Sequence, residues 1–151
     1  MPKLSVINGC SLGQRALIAA KYAGVEVEKA ELNPKDHPMG KCPLLQDGDL
    51  TLFTAGAAAK YLARGTDLLG KTDADKALVD QWMEFCEEIE GPASAWVLPL
   101  ILDVPACPVA MKKAKGDMRK AMTVLNKHLL NCTYLVGERV TLADICVFTA
   151  L

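Results

Sequence analysis

Residues 42–65 read CPLLQDGDLTLFTAGAAAKYLARG. Leu44 and Leu45 precede the pair Asp47-Gly48, and Leu50, Leu52 and Phe53 follow it. An Asp-Gly pair between two apolar runs favours a tight turn, because Gly takes positive φ at no steric cost, so this half predicts a β-hairpin. From Thr54 the pattern changes. Ala55 to Leu62 is rich in alanine, the strongest helix former, and Gly65 is a natural stop. Two strands that run directly into a helix set the end of a small α/β unit.

Towards the N-terminus, residues 3–8, KLSVIN, read as a first strand. In residues 9–24, GCSLGQRALIAAKYAG, Leu12, Ala16, Ala20 and Ala23 repeat at helical spacing with Leu17 beside them. Ser11 reads as the N-cap and Gly24 as the end. Residues 25–32, VEVEKAEL, alternate and read as a second strand. A β-α-β order over so few residues predicts a parallel pair joined by a crossover helix. NPKDHPMGK, residues 33–41, is a loop in which His37 is expected to be exposed. Residues 1–66 therefore have the order β-α-β-loop-β-β-α, that of a thioredoxin-like domain.

The remainder, 73–151, predicts an all-α domain behind a polar connector. DADKALVDQWMEFCEEIEG (73–91) is a helix with Ala77, Leu78, Trp82, Phe85, Cys86 and Ile89 on one face, interrupted or restarted at Pro92. Residues 108–130 carry Met111, Ala114, Met118, Ala121, Met122, Leu125 and Leu129 at spacings of three and four, a pattern of core packing. His128 sits near that helix's end, where its charge would meet the dipole. AWVLPLILDV (95–104) is apolar and reads as buried core. In TYLVGERVTLADICVFTAL (133–151), Thr141 and Asp144 form a capping box, with Val140 and Ile145 as its staple.

The chain of 151 residues is 51% hydrophobic and 23% charged, with a formal net charge of -1. That balance excludes nucleic acid held by bulk charge. No segment has the length of a membrane helix, and MPKLSVING at the start holds no apolar run long enough for a signal peptide. Cys10, Cys42, Cys86, Cys107, Cys132 and Cys146 are scattered without metal-ligand spacing, so no metal is expected. They read as reduced, mostly buried thiols of a cytoplasmic protein.

This layout resembles the glutathione transferase fold. HPMGKCPLL (37–45) is similar to the family's loop into a strand with a cis-proline, and TYLVGERVTLAD (133–144) to its capping-box segment. DQWMEFCEEIEGPASAWVLPLI (80–101) and ALIAAKYAGVEVE (16–28) narrow the resemblance to the transferase-like domains of the gamma subunits of translation elongation factor 1B. The resemblance implies a scaffold role in translation, with the exchange-factor subunit of that complex as partner and no direct contact with nucleic acid or membrane. The transferase-like domain of an aminoacyl-tRNA synthetase complex and a genuine glutathione (or related thiol) S-transferase are the alternatives. It also implies a homodimer through the 54–65 helix of one copy and the 73–85 helix of the other. The family's capping-box helix is long and central, so the helical domain is expected to be truncated at Leu151, with about 60 further helical residues in the natural protein.

No cofactor is required by a scaffold, while glutathione or a related thiol is the ligand the resemblance implies. The thiolate-stabilising group would be Ser11 or Cys10, just after the first strand at a helix N-terminus. Ser11 stands one turn before Arg15, as in serine-type members. Each also has a plainer reading, Ser11 as a cap and Arg15 as a solvated charge. The Cys42-Pro43 bond should be cis, with the backbone of Cys42 pairing with the peptide part of the thiol. Thr54-Ala55 stands where binding members carry Glu-Ser or Gln-Ser. A hydrogen bond to a charged group contributes about 1.5–3 kcal/mol, so losing the serine hydroxyl weakens binding by about ten- to a hundredfold. Thr54 compensates in part or is only a cap.

Overall fold

The computed structural model describes residues 1–151. The β-branched run near the start forms β1 (Lys3–Val6), which leads into helix α1 (Ser11–Tyr22) and back to β2 (Glu28–Glu31). β1 and β2 pair in parallel with Lys3 opposite Glu28, as a crossover helix requires. The hairpin follows as β3 (Leu44–Asp47) and β4 (Leu50–Leu52), antiparallel to each other, with β3 antiparallel to β1. The sheet order is β2-β1-β3-β4. Asp47 pairs with Leu50, so the turn is Gly48-Asp49, one residue later than the Asp-Gly reading, with Gly48 at φ 59°. Helix α2 (Ala55–Leu62) closes the thioredoxin-like unit.

Four helices complete the chain: α3 (Asp73–Phe85), α4 (Glu87–Ile101), α5 (Pro108–Leu129) and α6 (Leu142–Ala150). The architecture is the glutathione transferase fold, a thioredoxin-like α/β unit followed by a helical one. Helices α1 and α2 join the halves because their small residues are buried on two sides. Ala16, Ala20, Ala58 and Leu62 pack with the sheet residues Leu4, Val6, Leu44 and Leu45. Ala19, Ala59 and Ala63 belong to the other core, with Val79, Trp82, Ile89, Leu142 and Ile145. α1 approaches the sheet closely at Gly13, where a Cβ would lie 2.9 Å from Val6 Cγ1 and 3.0 Å from Cys42 Sγ. Only glycine fits there without moving one of them.

The carboxylate of Asp144 accepts from Thr141 N at 2.8 Å and from Thr141 Oγ1 at 3.0 Å, while its other oxygen accepts from Leu135 N at 2.9 Å. The capping residue thus anchors both α6 and the preceding loop. α6 packs on α1 and α3, and Ile145 and Val147 are buried while Phe148 is exposed.

Several expectations are corrected. α1 begins with Ser11 as its first residue and Cys10 as N-cap, so Ser11 is not the cap. The buried stripe of α3 and α4 runs through Val79, Trp82, Cys86 and Ile89, leaving Leu78 facing solvent. The helix breaks at Cys86, and α4 then continues through both Pro92 and Pro99. The C-terminal end of α4 is not core. Leu98, Leu100, Ile101 and Leu102 are exposed because this end rests mainly on α5, which covers one side of it. Only Cys42, Cys86 and Cys146 are buried; Cys10 is half-buried, and Cys107 and Cys132 are exposed. No helix is long and apolar enough to cross a membrane.

Candidate functional site

A cleft of about 620 Å³ opens where the α/β unit meets α3 and α4. One wall is the loop into β3 together with the start of α2: His37, Lys41, Cys42, Thr54, Ala55 and Gly56. The opposite wall is Met83, Glu84, Cys86, Glu87 and Glu90, with Leu12 and Arg15 of α1 at the base. The sheet unit thus supplies mainly small side chains on this wall, with Lys41, and the helical unit supplies carboxylates.

The expected site residues divide. Arg15, Cys42 and Thr54 line the cleft. Ser11 and Cys10 lie outside its lining, and Pro43 is buried behind Cys42 with the expected cis bond between them. Thr54 is the exposed N-cap residue of α2, and its side chain makes no capping bond. Ala55 follows it and leaves no hydroxyl at the next position.

Arg15 is not a solvated charge. Its side chain is 6% exposed, and it pairs with Glu90 of α4. Its Nε donates to Thr149 Oγ1 at 3.0 Å and an Nη to the Cys146 carbonyl at 3.1 Å, both on α6. The planar guanidinium therefore ties α1 of the sheet unit to two helices of the other unit. Nε and one Nη of the guanidinium are thus held by protein partners, and that Nη serves both Glu90 and the Cys146 carbonyl.

The Cys42 thiol is pushed up to about 11 by burial and by a hydrogen bond with Cys10, against a smaller lowering by the Ile7 amide. It stays protonated at neutral pH and is a poor nucleophile there. The buried Cys86 thiol donates to Trp82 O at 3.3 Å, and the interaction with Cys146 raises the Cys86 thiol and lowers that of Cys146.

His37 was not legible as a structural residue from its proline-rich surroundings. It is 5% exposed. Its Nδ1 accepts from Met39 N at 3.0 Å and from Lys41 N at 3.2 Å, so Nε2 carries the proton and donates to Phe53 O at 2.8 Å. One ring ties the loop to the end of the hairpin and sets the wall that carries Lys41 and Cys42. His37→Ala should cost about 1–3 kcal/mol by leaving the Met39 and Lys41 amides without their acceptor. Amide hydrogen exchange at those two residues should rise by at least tenfold; unchanged protection there would contradict this assignment. His128 also differs from expectation. Its Nε2 lies 2.9 Å from Leu135 O, and its ring rests on Trp82 at 4.7 Å between centroids.

Residues 3–64 match the family model "Glutathione S-transferase, N-terminal domain", and residues 107–151 match "Glutathione S-transferase, C-terminal domain". The chain is 38% identical to Elongation factor 1-gamma of Artemia salina over 149 residues, covering 91% of this chain and 35% of that protein. It is 34% identical to Elongation factor 1-gamma 3 of Oryza sativa subsp. japonica, covering 94% of this chain and 39% of the relative. The chain thus spans a little over a third of the length of these curated relatives. Among solved structures, glutathione S-transferase-I bound with lactoylglutathione superposes with a TM-score of 0.81 at 25% identity, covering 99% of this chain and 80% of the other. The glutathione S-transferase of Ascaris lumbricoides gives 0.85 at 26% identity, covering 100% and 79%.

Proposed function

Since the chain belongs to the glutathione S-transferase family through both of its halves, we propose that it is a transferase-like interaction domain of the translation elongation factor 1B complex, scaffolding the guanine-nucleotide exchange subunit. The observation that carries this reading is the 38% identity to an Elongation factor 1-gamma, spread over 91% of the chain rather than confined to one motif. A cytoplasmic location goes with that role.

The cleft supports a scaffold over an efficient thiol transferase. Arg15 is engaged by Glu90, Thr149 and the Cys146 carbonyl. Ser11 and Cys10, the two groups that could stabilise a thiolate, are outside the lining. The fit to glutathione is therefore confined to its peptide part: the backbone of Cys42 and the Thr54 hydroxyl at the start of α2. Weak binding of glutathione or a related thiol is the second reading, and these two groups favour it. Calorimetry should return a glutathione dissociation constant no tighter than about 100 μM. A value near 1 μM, with turnover of a generic electrophile, would move the assignment to a working transferase.

Leu100, Ile101 and Leu102 present apolar surface at the end of α4, the kind of patch that a protein partner covers. Affinity capture from cells, with the bound proteins identified by mass, tests the assignment. The exchange subunit of the elongation complex should be the principal partner. Recovery of an aminoacyl-tRNA synthetase in its place would contradict the proposal. Self-association would use the exposed side of α3, where Leu78 faces solvent, and sedimentation should report a dimer at high micromolar concentration.

A further inference from the structure

We propose that Cys10 and Cys42 form a thiol pair that closes to an intramolecular disulfide when a hydroperoxide reaches the domain. The two cysteines are remote in sequence and meet because the β1–α1 junction and the loop into β3 converge on Ile7. Cys10 N donates to Ile7 O at 3.1 Å, and Ile7 N donates to Cys42 Sγ at 3.5 Å. Cys10 acts directly on the Cys42 thiol and raises it. Cys10 packs on the same apolar cluster that contains Cys42. The Cys42 sulfur occupies the space that Gly13 leaves open, where a Cβ would approach it to 3.0 Å. Glycine at that position keeps the sulfur beside the first turn of α1.

The two thiols differ in access, and that assigns their order of reaction. Cys10 is half-buried at the start of α1 and meets the oxidant, whereas Cys42 is 7% exposed. The Cys10 thiolate attacks one peroxide oxygen. An S–O bond forms, the O–O bond breaks, and the leaving oxygen departs as water (or an alcohol) after taking a proton. The Cys42 sulfur then attacks the Cys10 sulfenic acid. The S–S bond forms, the S–O bond breaks, and the hydroxyl leaves as water with the Cys42 thiol proton. Two thiols lose two electrons and the peroxide gains them. Burial raises the Cys42 thiol to about 11, so it does not compete for the peroxide and reacts only with the Cys10 sulfur held beside it. Cys86 and Cys146 are also neighbours, but at 1% and 0% exposure they are closed to solvent and serve as an internal control.

The test is peptide mapping of the native full chain after treatment with equimolar hydrogen peroxide and blocking of free thiols. Trypsin releases Cys10 in Leu4–Arg15 and Cys42 in Cys42–Lys60. The expected result is these two peptides linked, lighter by two hydrogens, as the principal disulfide, and separated again by dithiothreitol. In Cys42→Ser the link should vanish and Cys10 should become trappable as a sulfenic acid by dimedone. Recovery of both peptides as blocked free thiols would overturn the proposal. So would a linkage at Cys86–Cys146, or between chains through Cys107 or Cys132, with Cys10 and Cys42 still reduced. The wild-type map decides the matter even if the variant fails to fold.

Discussion

Replacing Arg15 with alanine is expected to lower stability by about 3 kcal/mol, the low end of the range for removing one partner of a buried ion pair. The low end applies because the Glu90 side chain is 30% exposed and can be partly rehydrated. The Thr149 hydroxyl keeps its bonds to the Ile145 and Cys146 carbonyls, but the guanidinium links from α1 to α4 and α6 are lost together. For a chain of this length that loss corresponds to a fall in Tm of about 6–12 °C. Arg15→Lys should recover only part of it, because an ammonium cannot reproduce the planar fork. Thermal melts without ligand provide the check. A residue that served only to bind a ligand would leave the melting point of the free protein unchanged, and that result would contradict the structural assignment.

Trp82→Ala should cost about 4 kcal/mol, or about 8–16 °C in Tm, through the loss of a large buried side chain and the cavity left behind. Trp82 is 6% exposed in the core shared by the two halves. Phe85 meets it edge-on at 5.2 Å, and His128 lies across it at 4.7 Å. The substitution therefore also loosens α5, which carries His128, and with it the bond to the Leu135 carbonyl. Denaturant unfolding followed by circular dichroism measures the change. A loss below about 1 kcal/mol would mean that the core around α3 does not depend on this ring.

The thioredoxin-like half was legible because short strands, an alanine-rich helix and glycine stops are local signals. The capping box at Thr141 and Asp144 was legible for the same reason: both groups lie within one turn. Long-range pairing was not. Arg15 looks like a surface charge until α6 brings Thr149 and the Cys146 carbonyl to it. His37 sits among prolines and glycine, and nothing local foretells two amides converging on one ring nitrogen. On α3 the choice between Leu78 and Val79 depended on which face meets α6, a tertiary fact that a three-four spacing leaves open. At the end of α4 the apolar run suggested core, but hydropathy does not reveal that one side of a helix lacks a neighbour. In the cleft, the sequence located Cys42 and Thr54 on one wall, while the carboxylates opposite them came from a helix read only as packing.

Titration of purified exchange subunit of the elongation complex into this chain tests the central claim most directly. The expected result is a saturable complex with a dissociation constant of about 1 μM or tighter, unaffected by millimolar glutathione. No binding at about 100 μM, together with glutathione conjugation at the rate of a working transferase, would contradict it.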